Sequence, residues 1–325
     1  RIINNLPLFH AFGLTVGTLM PLIKGLPIIC VPDPTDTVLV GKLTARNQGT
    51  ILCGTNTFLR LYAKQPKLYP LMFKTVRMVV AGAEKVTDDL RTMFKEKFGL
   101  EIHEGYGTTE TAPVASMNIP DQLIIDDWHI QKGHKKGTVG QALPGTVFQI
   151  VDPQTHEPCN RGEEGLILIG GPQVMKGYLD EPAKTKKAII QASDTRWYNT
   201  GDKGKLDEDG FLTIVDRYSR FAKIGGEMVS LGAIEKTLFE YKTEPELDLV
   251  AITIPDLKKG ENIIVLVSGI KALDTFKEKI KKAPLQGVQK PNHYLLIKEI
   301  PKLGSGKTDY VMAKKIAVEE LNKRK

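Results

Sequence analysis

Over residues 1–103 the apolar positions fall into two alternating patterns. Short apolar runs at 26–31, 50–53, 76–81 and 100–103 are strand-like. Between them, 37–46, 55–63 and 87–98 carry apolar residues at helical spacing, with Thr87 as an N-cap for the last. Leu6-Pro7-Leu8-Phe9-His10-Ala11-Phe12-Gly13 closes a strand and enters a helix. The most apolar region, 11–31, is interrupted by Pro21, Lys24 and Pro27, and reads as a buried helix followed by a strand rather than a bilayer span. Strand alternating with helix predicts a parallel sheet covered on both faces. Such sheets hold ligands beyond the C-terminal ends of their strands. Gly82-Ala83-Glu84 and Gly105-Tyr106-Gly107 stand at two such ends.

From residue 137 the pattern changes to short strands, 137–151 and 165–169, split by Gly, Pro, Asp and Glu. This predicts a small antiparallel barrel or sheet, with a helix at 183–191 and a strand at 211–215. The segment 216–227 mixes cations, small residues and a glycine pair, and reads as a boundary that can bend. Alternation then restarts: helix 231–241, strands 247–254 and 263–269, helix 272–283, strand 293–299, helix 308–322. The expected fold is α/β, with a large unit over 1–216, a small α+β unit over 217–325 and a hinge near 216–220.

Composition narrows the class. Apolar content of 41% and charged content of 26% are those of an ordinary globular chain. Cys30, Cys53 and Cys159 match no zinc spacing or disulfide framework. Cys30 and Cys53 lie in apolar runs and are expected to be buried. The net charge of +7 is uneven: residues 271–325 hold 14 Lys/Arg against 6 Asp/Glu. That excess is either a solvated surface or a docking face for an acidic partner. Nucleic acid is disfavoured, because aromatic residues are not interleaved with the basic ones. The chain opens at Arg1 beside a strand, so it is expected to be a piece of a longer protein.

The candidate chemistry centres on Glu104-Gly105-Tyr106-Gly107-Thr108-Thr109-Glu110. Glycines let a ligand approach the backbone, Tyr106 offers a flat ring, the threonines offer hydroxyls and Glu110 a carboxylate. That set can stack a base, bind a phosphate and ligate magnesium, and a strand followed by a polar turn reads the same. Asp202, after a glycine in an expected turn, can accept from two ribose hydroxyls. His10, between two phenylalanines, fits a packed wall as well as an active group. Lys307 follows Gly-Ser-Gly on a loop without the glycine spacing of a phosphate-binding loop.

The order of these strings is more specific than any one of them. Gly82-Ala83-Glu84, Tyr106-Gly107-Thr108-Thr109-Glu110, Tyr198-Asn199-Thr200-Gly201-Asp202, the segment 216–226 and Gly306-Lys307 resemble the adenylate-forming superfamily along nearly the whole chain. That superfamily contains acyl-CoA synthetases, luciferases and peptide-synthetase adenylation domains. Arg220-Phe221-Ala222-Lys223-Ile224 and Leu303-Gly304-Ser305-Gly306-Lys307 look like its acyl-acyl-carrier-protein synthetase branch. The resemblance implies a truncated adenylation domain, made of a parallel α/β layer and a small β-barrel, followed by a C-terminal lid. It implies ATP and Mg2+, a fatty acid substrate and acyl carrier protein as partner. A separate acyltransferase domain would pass the acyl group to a lysophospholipid at the cytoplasmic face of the bacterial inner membrane. An acyl-CoA ligase and a non-catalytic nucleotide-binding module are the alternatives.

By matching position, Tyr106 is expected to stack on adenine, with Gly82, Ala83, Glu84 and Gly107 lining that pocket. Thr109 would hold the α-phosphate, Glu110 the metal, and Asp202 and Arg217 the ribose. Lys223 joins the nucleotide contacts. His10 would gate the acyl pocket, Lys307 would bridge carboxylate and α-phosphate, and Arg220 takes the pivot position. Two positions depart from the pattern: Asp216 stands where glycine is usual, and Arg220 where aspartate or lysine is common. The phosphate-cradling loop would precede Arg1, so this piece is expected to be poorly active alone.

Overall fold

The strand Ile2–Asn4 pairs in parallel with Ile28–Cys30 on one side and Ile51–Gly54 on the other. In the computed structural model, which describes residues 1–192, 194–256, 259–304 and 307–323, it belongs to a seven-stranded sheet. The order continues through Met78–Ala81, Ile102–Tyr106, Ser116–Met117 and Gln141–Ala142, the last two antiparallel. The chain divides into two compact units, Arg1–Val215 and Asp216–Lys325.

The helices of the first unit form where spacing and caps agree. Asp36 accepts the Leu39 amide at 3.0 Å ahead of Thr37–Arg46, and Thr55 accepts that of Phe58 ahead of Asn56–Lys64. Val40, Leu59, Tyr62, Leu90 and Phe94 bury their apolar faces with Ile3, Leu52 and Val79 in one core. Removing a large side chain of this kind from water contributes about 1.5–3 kcal/mol. Helix Asp88–Phe98 starts after Thr87, but the Thr87 hydroxyl makes no capping bond. Arg60 takes it instead, donating to Thr87 Oγ1 at 2.6 Å and to Asp89 at 2.7 Å.

Three expectations about this unit need correction. Residues 11–31 do form a helix, Phe12–Leu19 and Met20–Ile23, followed by the strand Ile28–Cys30, but the helix is not buried throughout: Leu22 and Ile23 are 64% and 80% exposed. Cys30 is exposed because Ile28–Cys30 is the outermost strand of the sheet, while Cys53 is buried and its thiol is pushed up to about 12 by burial. The predicted helix at 183–191 stops at Ala188, where Ile189–Ala192 turns into a strand.

That strand joins a five-stranded antiparallel sheet with Val147–Val151, Gly165–Gly170, Thr195–Leu206 and Leu212–Arg217, the form that the small β-layer takes. Its longest strand explains a further correction. Asp202 lies not in a turn but inside Thr195–Leu206. Register slips there: Leu166 faces Lys203, yet Leu168 faces Asn199. The residues 200–202 bulge out, and Gly201 accommodates the bulge at φ +67°.

In the second unit a three-stranded sheet, Asp248–Asp256, Gly260–Ser268 and His293–Leu296, is apolar on both faces. Leu249 and Ala251 face Ile234, Leu238 and Phe276 of helices Leu231–Phe239 and Leu273–Ile280. Val250 and Ile252 face Ala313 and Ala317 of Tyr310–Asn322. Alternation at period two thus loads both layers. The glycine pair 225–226, expected to bend between domains, instead closes the hairpin Phe221–Ile224/Glu227–Ser230. Both glycines have positive φ, +59° and +90°, as a two-residue hairpin turn requires. No helix among the described residues is long and apolar enough to cross a membrane.

Candidate active site

The first unit brings several candidate residues to the C-terminal ends of its parallel strands. Ile2–Asn4 leads to His10, Met78–Ala81 to Gly82-Ala83-Glu84, and Ile102–Tyr106 to the threonine-rich turn. His10 Nδ1 accepts the Phe12 amide at 3.2 Å, which holds the imidazole at the start of Phe12–Leu19. Phe12 packs beside Gly82, where a Cβ would stand 3.2 Å from its ring. The His10 segment and the Gly82 turn are therefore neighbours. Ala83 adopts φ +71°, and Glu84 accepts from the amide and hydroxyl of Thr57, both at 3.1 Å. Its carboxylate thus sits on the first turn of Asn56–Lys64, where helix amides favour an anion.

The strand end is fixed from below. Glu104 pairs with Arg91 and accepts the Val86 amide at 2.8 Å. Burial pushes its carboxyl above the usual range, and Arg91 pulls it back. Gly107 then turns the chain where no side chain fits: a Cβ would lie 1.7 Å from the Pro113 carbonyl oxygen. The short helical turn Thr109–Thr111 follows, with the Thr108 amide donating to Thr111 Oγ1 at 3.1 Å. Thr109 is exposed and Glu110 half-buried.

Two tyrosines that sequence reasoning gave no role converge on Glu110. The Tyr178 hydroxyl donates to Glu110 Oε1 at 2.7 Å, and the Met175 amide donates to the Glu110 carbonyl at 2.8 Å. Tyr198, only 6% exposed, lies close enough to Glu110 for its charge to act on the phenol. Burial, then the Glu110 charge, raises the pKa of Tyr198, so the phenol stays protonated. Tyr178 sits after Gly177 in an irregular stretch, and nothing in its local spacing marks it.

Tyr106 and Asp202 meet across the two sheets: the phenol donates to Asp202 Oδ2 at 2.5 Å. Asp202 is 4% exposed, and its amide donates to Thr200 Oγ1 at 3.0 Å. A carboxylate so placed is a strong acceptor with few competing waters. A side-chain bond thus joins the aromatic ring to the bulge carboxylate, and a separate one ties Glu110 to Tyr178.

Arg217, Lys223 and Lys307 belong to the second unit. The Arg217 amide donates to Asp216 Oδ1 at 2.8 Å, and the Lys223 amide to Glu261 at 2.7 Å. Asp216 has its own explanation for replacing glycine. Its buried carboxylate accepts from Ser230 and from the Gly232 amide, at the start of Leu231–Phe239. Lys307 is half-buried and its carbonyl accepts the Leu303 amide at 2.7 Å. Ser305 and Gly306 of its motif lie outside the described residues.

Among the described residues no group of three or more His, Cys, Asp or Glu can hold a metal. Glu110 fits a magnesium ion carried by phosphates, since Mg2+ uses one or two carboxylates and completes its shell with phosphate oxygens and water.

A family model described as AMP-binding enzyme matches residues 1–179. The chain is 28% identical over 325 residues to the long-chain-fatty-acid–CoA ligase of Bacillus subtilis (strain 168), covering 98% of this chain and 54% of that protein. It is 29% identical over 311 residues to the mitochondrial medium-chain acyl-CoA ligase ACSF2 of Rattus norvegicus, covering 94% of this chain and 48% of that protein. ATP-bound MatB from Rhodopseudomonas palustris superposes with a TM-score of 0.80 and 25% identity, covering 97% of this chain and 59% of that one. The chain spans about half the length of the curated relatives it matches.

Proposed function

The chain belongs to the AMP-binding enzyme family, and from that membership we propose that it serves an AMP-forming ligase that activates a fatty acid with ATP. A carboxylate oxygen of the fatty acid attacks the α-phosphorus, the bond to pyrophosphate breaks, and acyl-adenylate forms. A thiol then attacks the acyl carbon and AMP leaves. The names of the relatives support the fatty acid. The observation that carries the nucleotide reading is the Tyr106–Asp202 bond, which joins the aromatic strand end to the bulge carboxylate.

In this reading the Tyr106 ring stacks on adenine, with Gly82, Ala83, Glu84 and Gly107 beside it. Asp202 and Arg217 hold the ribose. The exposed Thr109 hydroxyl donates to the α-phosphate. Glu110 ligates Mg2+, which offsets phosphate charge when bound. Lys223 contacts the nucleotide, and His10 gates the acyl pocket. Lys307 places a cation between two approaching anions, where a fixed charge stabilises most. The second unit acts as a lid over 217–325 that turns about residues 216–220 between the two half-reactions.

The finer proposal names the acceptor as the phosphopantetheine thiol of acyl carrier protein. The resemblance of the Arg220 and Lys307 segments to that branch supports it, as does the basic excess of residues 271–325. Reacylation of a lysophospholipid by a separate acyltransferase at the inner membrane belongs to the same proposal. Coenzyme A is the second reading, supported by the relatives' names. The test is fatty-acid-dependent ATP–pyrophosphate exchange in the complete gene product, followed by supply of each thiol. Exchange supports activation, and its absence leaves a non-catalytic nucleotide module. Thioester with coenzyme A alone removes the carrier protein.

A further inference from the structure

Arg220 is held in the second unit by more than its place in the chain requires. It ends the turn Tyr218–Arg220, and its side chain is 15% exposed. Nη2 donates to Glu235 Oε1 at 2.6 Å, and that oxygen also accepts the Ala251 amide at 2.7 Å. One carboxylate thus ties the turn, helix Leu231–Phe239 and strand Asp248–Asp256 together. The guanidinium carbon lies 4.6 Å from the centre of the Tyr310 ring. Arg220 Nε is buried and has no hydrogen-bond partner. Burying two charges costs several kcal/mol, and an apolar side chain fills such a space without that cost. What an apolar residue cannot do is fix a ring by a planar cation and a carboxylate by a directed bond at once.

Tyr310 is the first residue of Tyr310–Asn322 and stands three positions after Lys307. The segment between them is pinned. Asp309 caps the helix by accepting the Met312 amide at 3.0 Å, and its own amide donates to Pro301 at 2.8 Å. Lys302 bridges to Thr308, and Leu303 donates to the Lys307 carbonyl at 2.7 Å. The base of the lysine loop is therefore fastened to the helix start, and the helix start lies under Arg220.

We propose that Arg220, Glu235 and Tyr310 form a strut that positions Lys307 for adenylation, so that the residue at the pivot position sets the place of the lysine. This rests on the reading of Lys307 given above. The three are positioning residues, since none is assigned a contact with substrate. Lysine at 220 keeps the charge but loses the plane, leucine at 310 loses the ring, and phenylalanine at 310 keeps it.

The test uses the complete gene product with Arg220→Lys, Tyr310→Leu, Tyr310→Phe and Lys307→Ala. ATP–pyrophosphate exchange reads the first half-reaction, and thioester formation from supplied acyl-adenylate reads the second. Arg220→Lys and Tyr310→Leu are expected to lower the kcat of exchange about 10-fold or more with KM for ATP nearly unchanged, because a small misplacement of a reacting group is costly. In Tyr310→Leu, thioester formation should stay within about 2-fold of wild type, and Tyr310→Phe should exchange normally. Normal exchange in Tyr310→Leu overturns the strut, and so does an equal fall in both half-reactions, which a loss of fold alone produces. If the wild type lacks exchange, or Lys307→Ala keeps it, the reading of Lys307 fails and the strut with it. If those two controls behave and only Tyr310→Leu is silent, the strut alone is wrong.

Discussion

The Tyr106 hydroxyl donates to Asp202 Oδ2 at 2.5 Å, although 96 residues separate the two in sequence. One ends a strand of the parallel sheet and the other occupies a bulge in the antiparallel sheet. The bond fixes the tilt of the ring and leaves Asp202 paired when no ligand is bound. Tyr106→Phe should keep the ring and lose the bond. A hydrogen bond to a charged group contributes about 1.5–3 kcal/mol, so the first unit should lose stability on that scale in denaturant melts. Unchanged stability would show that the pair does not hold the two sheets together.

Lys307→Ala should slow fatty-acid-dependent ATP–pyrophosphate exchange by about 10²–10³-fold, the scale of one lost electrostatic donor. Thioester formation from supplied acyl-adenylate should be much less affected. Single-turnover assays of each half-reaction check this, and equal damage to both counts against the assignment.

If Glu110 holds Mg2+ as proposed, Tyr178 would compete for the same carboxylate, since its hydroxyl lies 2.7 Å from Glu110 Oε1. Tyr178→Phe should therefore lower the Mg2+ concentration for half-maximal exchange by about 3-fold, a modest hydrogen-bond effect. Glu110→Gln should raise it, because the carboxylate charge is lost. A Mg2+ titration of the two variants that moves both midpoints the same way would count against Glu110 as the ligand.

At Gly107 the constraint is steric. A Cβ would stand 1.7 Å from the Pro113 carbonyl oxygen, and backbone cannot step aside as a flexible side chain can. Gly107→Ala should destabilise the first unit by about 1–3 kcal/mol and weaken nucleotide binding, measured by thermal melting and calorimetry. A wild-type melting temperature would show that the turn relaxes freely.

His103 supplies a pH dependence of stability. It is 5% exposed, its Nδ1 has no hydrogen-bond partner, and His134 lies 5.1 Å away ring to ring. Burial, then the His134 charge, lowers its pKa from 6.5. The unfolded chain therefore takes up the proton first. Stability is present above pH 6.5 and is lost as pH falls through the folded value. Denaturant melts of His103→Leu should show a shallower loss below that pH than wild type, and identical slopes would place the acid sensitivity elsewhere.

The alternation of strand and helix was legible wherever apolar spacing and a cap agreed, as at Thr37–Arg46 behind Asp36. It failed where tertiary context decides. Residues 11–31 are apolar enough to be buried, yet Ile23 is 80% exposed, since composition does not say what covers a face. Asp202 looked like a turn residue because a bulge uses turn chemistry inside a strand. The string around Tyr106 was readable as a ligand loop, but its partners Asp202 and Tyr178 are distant in sequence, and no local period encodes such pairing. The two departures from the family pattern, Asp216 and Arg220, became intelligible only through Gly232 and Glu235.

The most direct measurement is a crystal structure of the complete gene product with a non-hydrolysable acyl-adenylate analogue. The account predicts adenine against the Tyr106 ring, the ribose hydroxyls on the Asp202 carboxylate, and the α-phosphate position within reach of Thr109. An adenosine moiety bound away from all three residues would contradict it.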